Sequence, residues 1–246
     1  MATSEPKYRV TAPGRLAWET KDQAVPSDYR MILWLLDYHG AGHTESFMSQ
    51  FPEQDLAACI SEMEELGFLE RLQPGAPPDQ SPAPDVVAVA ESELPVIADA
   101  LEKHGAYLSG DRLRGRAPAG KPHQAIRVLI VEDDPDQLAL ADLRVSMAGY
   151  AVDGVASQAA MLRHMADAGV PDLLLLDVML PDGNGFRIVR NLRRLESFAK
   201  LPIVLLTARS NSADVIEGLR AGADGYITKP YSKRILADVV GRVLQL

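Results

Sequence analysis

Four groups of residues in the second half of the chain could do chemistry together: Glu132, Asp133 and Asp134; Asp177; Thr207 and Ala208; Lys229 and Pro230. Each is ordinary alone, because lone acids and lysines in loops are mostly solvated or cap a helix. Jointly they place carboxylates, a hydroxyl and an ammonium in equivalent positions, just after short apolar runs. Asp177 is the sharpest case, since it ends "PDLLLLD", where an unpartnered buried carboxylate would cost several kcal/mol, roughly. Two carboxylates ~4 Å apart repel by about 4 kcal/mol at an effective dielectric of ~20. Acids that meet must therefore raise their pKa values or share a cation. Carboxylate and carbonyl oxygens suit Mg²⁺, which also bridges to phosphoryl groups. An ammonium, a hydroxyl and backbone amides can hold phosphoryl oxygens. The chemistry this set supports is phosphoryl transfer by positioning and charge neutralisation.

The elements that must position these residues alternate regularly. Apolar β-type runs lie at 125–131, 150–156, 172–177, 202–207 and 224–228. Helix-period segments lie between and after them, at 135–148, 157–168, 184–195, 212–221 and 232–246. Ser157 and Asn211 stand where N-caps belong, and Gly149 and Gly222 where helices stop. Five strand–helix units predict a doubly wound parallel sheet with helices on both faces. In such a sheet ligands bind outside the carboxyl ends of the strands, where all four groups fall. No G-x-G-x-x-G follows the first strand, no G-x-x-x-x-G-K-[ST] occurs, and Met179 stands two after Asp177 where a haloacid-type phosphatase has an acid.

On the motifs "VLIVEDD", "LLLLDVMLPDGNGF", "VLLTA" and "GYITKP", residues 125–246 resemble a receiver domain of two-component response regulators. The resemblance implies a flavodoxin-like α/β fold with strand order 2-1-3-4-5. It implies that Asp177 is the phosphoacceptor, a carboxylate nucleophile taking phosphate from a kinase phosphohistidine. It implies Mg²⁺ held by Asp133 and Asp177, by Glu132 through water, and by the Met179 backbone carbonyl. Thr207 and Ala208 would bind the phosphoryl group, Lys229 would neutralise it, and Tyr226 would be the switch aromatic, with a cis bond between Lys229 and Pro230. Asp134 maps onto no ligand. The switching surface would be residues 211–246, which could also carry a phosphorylation-dependent homodimer.

The first half reads differently. Amphipathic helices are expected at 26–40, 53–67 and 92–108, a shorter one at 43–51, and strands at 68–72 and 85–90 around a Pro-rich stretch. Three helices followed by a hairpin is the order of a winged helix-turn-helix, so residues 1–110 are read as a winged-helix-like domain. Residues 111–124, rich in Pro, Gly and Ala, are read as a linker to the receiver at 125–246. Arg112, Arg114 and Arg116 are read as a solvated helix end. The histidines lack metal-ligand spacing.

The 246-residue chain has a formal charge of −9, and residues 1–120 carry all of it, with ten basic against nineteen acidic residues. The candidate recognition helix at 53–66 holds five acids and no Lys or Arg. Lys and Arg contacts to phosphates supply nearly all non-specific affinity for DNA. A protein partner is therefore expected for the N-terminal domain, with a DNA-binding transcriptional regulator as the alternative. The whole is read as a response regulator of a phosphorelay, partnered by a histidine kinase or phosphotransfer protein, and not as an enzyme. One cysteine, Cys59, and no signal-peptide pattern point to the cytoplasm. No apolar stretch approaches the ~18 residues that would span a membrane.

Overall fold

The computed structural model describes residues 7–19, 24–39, 56–72, 94–114, 118–208 and 212–246. They divide into two compact units: Met1–Ala83 with Leu162–Gly169, and Pro84–Met161 with Val170–Leu246.

In the N-terminal unit β1 (Lys7–Val10) pairs antiparallel with β2 (Leu69–Leu72), in register Lys7 to Leu72. Three helices accompany them: α1 (Ala12–Glu19), α2 (Ser27–His39) and α3 (Leu56–Glu65). The run Ile32–Leu36 and Tyr38 is buried, so Trp34 is core, as its apolar neighbours predict. Arg15 grips Asp37 with two hydrogen bonds, at 2.9 and 2.7 Å. The Tyr29 hydroxyl donates to Glu62, which pushes its pKa up to about 12. The strand near 68–72 is thus present, but its partner is β1, a four-residue run in which exposed Lys7 and Arg9 alternate with buried Tyr8 and Val10. The expected helix at 43–51 and strand at 85–90 lie outside the described residues.

The second unit is built on a six-stranded sheet, β3-β10-β9-β6-β4-β5. Its parallel strands are β4 (Arg127–Val131), β5 (Ala151–Val155), β6 (Leu173–Asp177), β9 (Ile203–Thr207) and β10 (Gly225–Thr228). Their order is the expected 2-1-3-4-5. β6 and β9 are buried at every residue, which is why they read as unbroken apolar runs rather than alternating ones. Five helices follow the strands: α6 (Pro135–Ser146), α7 (Gln158–Ala168), α8 (Gly185–Arg194), α9 (Ser212–Arg220) and α10 (Lys233–Leu244). Gly149 and Gly222 have φ of +93° and +101°, the left-handed conformation that stops a helix.

The sixth strand departs from the sequence expectation. The helix read over 92–108 ends at His104, because Gly105 turns at φ +67° and its N–H caps Leu101 O. This helix, α4 (Leu94–His104), leads into β3 (Ala106–Leu108), which pairs antiparallel with β10. A short helix α5 (Gly110–Leu113) follows. Leu108, Leu113 and Ala119 pack against the core of the second unit. Arg112 is not a solvated helix end: its Nε lies 3.3 Å from Oδ1 of Asp224, which is fully buried. Three residues of β-strand flanked by glycines are too short for a periodic signal, so tertiary pairing decides this segment.

Candidate acidic site at the carboxyl ends of the strands

The site is assembled by strand ends and the turns after them. β4 delivers Glu132 and Asp133, β6 delivers Asp177, β9 delivers Thr207, and β10 delivers Lys229. Carboxylate oxygens of Glu132, Asp133 and Asp177 lie within 4.8 Å of one another. Lys229 Nζ donates to Glu132 Oε2 at 2.5 Å and to Asp177 Oδ2 at 2.6 Å. Glu132 is 1% exposed and Asp177 6%, whereas Asp133 is exposed. Burial pushes the Glu132 carboxyl up, against the pull of Lys229. Burial works against the Lys229 charge, but its hydrogen bonds to Asp177 and Glu132 outweigh that and its pKa is raised. Three carboxylates against one ammonium leave a deficit of two positive charges if all are ionised, which a divalent cation would meet with the hard oxygen donors present.

The turn after Asp177 is a two-rung hairpin, β7 (Met179–Leu180) with β8 (Gly183–Asn184). Met179 N donates to Asp177 Oδ1 at 3.0 Å, fixing the acceptor's side chain to its own turn. Asp182 holds the hairpin from outside, accepting from Gln158 N and Ala159 N at the start of α7. Asn184 caps α8 through Phe186 N and Arg187 N. A side chain at Gly185 would sit 2.8 Å from Asp177 O and 2.7 Å from Val178 Cα, so only glycine fits there.

Thr207 is fully buried; its carbonyl accepts from Lys229 N at 2.7 Å. Ala208 is exposed and lines a cleft of about 490 Å³ with Asp177, Met179 and Lys229. Tyr226 is fully buried, its ring beside Gly218 of α9. Asp134, the third acid of the triplet, is the N-cap of α6. The Lys229–Pro230 bond is cis. Gln137, Leu140, Arg144 and Tyr231 also line the cleft. The first three share a helical face by their 3- and 4-residue spacing, and that spacing is the sequence signal that could have found them. Arg144 lies over the Tyr231 ring, 5.3 Å from its centroid, and donates to Tyr231 O at 2.9 Å.

Residues 128–241 match the family model of the response regulator receiver domain. The C-terminal half of the chain is such a domain. The chain is 42% identical over 118 residues to the DNA-binding dual master transcriptional regulator RpaA of Synechocystis, covering 46% of this chain and 47% of that one. It is 41% identical over 118 residues to the transcriptional regulatory protein GltR of Pseudomonas aeruginosa, covering 48% of each. The chain thus spans about half the length of the curated relatives it matches. Among solved structures, the receiver domain of a signal transduction histidine kinase from Syntrophus aciditrophicus is 34% identical, covering 49% of this chain and 91% of that one at a TM-score of 0.46. No helix among the described residues is long and apolar enough to cross a membrane.

Proposed function

We propose that the second unit accepts a phosphoryl group at Asp177 from a histidine kinase or phosphotransfer protein, and that this switches what the N-terminal unit binds. The observation that carries the reading is Lys229 Nζ on both Asp177 and Glu132, beside a third carboxylate. In the transfer an Asp177 oxygen bonds to phosphorus while the phosphorus–nitrogen bond to the donor imidazole breaks. Lys229 neutralises the added charge, and the Thr207 hydroxyl with the Ala208 N–H holds the phosphoryl oxygens. Glu132, Asp133, Asp177 and the Met179 carbonyl would hold Mg²⁺, which supplies charge neutralisation at the phosphoryl oxygens. The acceptor turns over with its donor and serves as a switch rather than as an enzyme. The compartment is the cytoplasm. Labelling with acetyl phosphate and Mg²⁺ tests this: Asp177→Asn should abolish it, and label that persists there and vanishes on changing another residue overturns the assignment.

For the N-terminal unit we favour a winged-helix-like module that takes a protein partner. α3 exposes Ser61, Glu62 and Glu65 and has no Lys or Arg, so its outer face would repel a phosphate backbone. The names of the relatives favour a second reading, a DNA-binding regulator. A gel-shift selection at low salt with the full chain decides between them. Sequence-specific retention at sub-micromolar protein would establish the DNA reading.

A further inference from the structure

Without β3, strand β10 would be the open edge of a five-stranded parallel sheet. Its free side is taken instead by residues that precede the sheet in the chain. Ser109 N donates to Asp224 O and Thr228 N to Gly105 O, both at 2.9 Å. With the ladder register between them, that alternation makes Tyr107 and Tyr226 a hydrogen-bonded pair. Opposed residues share a face of the sheet. Tyr226 faces α9, where a Cβ on Gly218 would come within 3.1 Å of its ring. Tyr107 therefore lies beside it on that face, and α4 packs against α9 there. On the other face Ala106 and Leu108 join the core around Ile227. Arg112 then reaches buried Asp224, and Gln245 Nε2 donates to Leu113 O at 2.8 Å.

The path from this segment to the acids is short. Gly105 O accepts from Thr228 N at 2.9 Å and from Thr228 Oγ1 at 3.2 Å. The next residue is Lys229, whose N–H is fixed on Thr207 O and whose ammonium reaches Glu132 and Asp177. Pairing with residues 105–108 thus fixes the backbone from which the Lys229 ammonium is presented. A cation held in place before charge arrives stabilises that charge without reorganisation.

We infer that residues 105–113 are an intramolecular effector arm: its seating on β10 and the charged phosphoryl state of Asp177 stabilise each other. The inference rests on Asp177 being the phosphoacceptor. Because coupling between two sites is reciprocal, the factor by which the seated arm tightens phosphoryl binding is also the factor by which the phosphoryl state tightens the arm. The seated arm also occupies the strand edge that a second copy of the chain would need for pairing across β10.

The test uses the full chain, with Mg²⁺ and beryllofluoride as the phosphoryl probe read by fluorine NMR, and amide exchange on residues 225–228. Tyr107→Pro removes the N–H that pairs with Tyr226, and Arg112→Ala loosens the arm outside the ladder. Tyr107→Pro should expose the amides of Tyr226 and Thr228, which face the arm, and lower beryllofluoride affinity at least about fivefold, with a smaller fall in Arg112→Ala. If Tyr107→Pro does not fold, Arg112→Ala decides by the same direction of change. Equal affinity in wild type and the folded variants overturns the arm while leaving Asp177 as acceptor, and so does unchanged protection of Tyr226 and Thr228 in Tyr107→Pro. Beryllofluoride that binds none of the proteins overturns both readings.

Discussion

Arg193 and Asp224 form an ion pair closed off from solvent: Nη2 lies 2.9 Å from Oδ2, and the side chains are 3% and 0% exposed. Three further guanidinium donors are used as well, Nε on Gly222 O and Nη1 on Phe198 O and Leu201 O, each at 2.8 Å. Asp224 Oδ2 also accepts from Ile203 N, at the first residue of β9. The pair thus joins the end of α8 to the starts of β9 and β10, at the opposite end of the sheet from the acids. Removing one partner of such a pair leaves a buried charge undercompensated, which costs more than the pair itself contributes. Arg193→Ala should lower the unfolding free energy by about 3–5 kcal/mol in urea titrations. Asp224→Asn keeps the shape but strands the buried Arg193 charge and turns one accepting oxygen into a donor facing Arg112 or Ile203 N. It should therefore cost on the same scale, about 3–5 kcal/mol.

Lys229 should separate binding of the cation from use of the phosphoryl group. Lys229→Ala removes the ammonium that competes for Glu132 and Asp177, so Mg²⁺ affinity measured by calorimetry should hold or rise. Acetyl phosphate labelling of Asp177 should slow by about a hundredfold or more, the scale of losing one preorganised electrostatic partner. Parallel losses in both measurements would mean that Lys229 holds the fold of the site rather than the charge.

The receiver was legible because its signals are local and repeated. Unbroken apolar runs at 172–177 and 202–207 can only be strands covered on both faces, and the acids, Thr207 and Lys229 stand at the ends of such runs. Helix bounds followed to within a few residues, whereas the strand order came from the family resemblance and not from these local signals. The segment 105–119 was not legible, because β3 has three residues and owes its conformation to β10, more than a hundred residues away. Proline and glycine around it read as a linker, although Leu113 and Ala119 are packed. Arg193 was equally hidden: on the sequence it is one of two adjacent arginines ending an amphipathic helix. What sets it apart from exposed Arg194 is the position of Asp224.

Two glycines in helices should respond to alanine with opposite signs. Gly241 in α10 has nothing within 4 Å of the position a methyl group would take, so Gly241→Ala should gain up to about 1 kcal/mol from helix propensity. Gly218 in α9 would place the same methyl 2.8 Å from Leu205 Cδ1 and 3.1 Å from the Tyr226 ring. Overpacking of this kind costs about 1–3 kcal/mol, which exceeds the propensity gain. Gly218→Ala should therefore be destabilising in thermal unfolding, and amide exchange at Tyr226 should rise with it. A stabilised Gly218→Ala would show that Leu205 gives way freely and that the Tyr226 socket is loose.

Asp134 explains why one acid of the triplet takes no part in the site, and it makes a pH prediction. Its Oδ1 accepts from Asp136 N at 2.9 Å and Gln137 N at 3.0 Å, at the start of α6. The backbone hydrogen bond from Gln137 is the main reason its pKa is lowered. A carboxyl whose folded pKa lies below its unfolded value, about 3.9, stabilises the fold above that value. The contribution is lost as pH falls through the folded pKa, when the cap is protonated in both states. Asp134→Asn keeps an oxygen acceptor but cannot titrate. Urea midpoints of wild type and Asp134→Asn should therefore differ most near neutral pH and converge as the pH falls through the lowered folded pKa. The charged cap also faces the amino end of a helix dipole, so added salt should narrow the neutral-pH gap. A gap that stays constant from neutral to acid pH would assign the cap's effect to geometry alone, and Asp134 would then carry no charge-dependent role in holding α6 beside the acids.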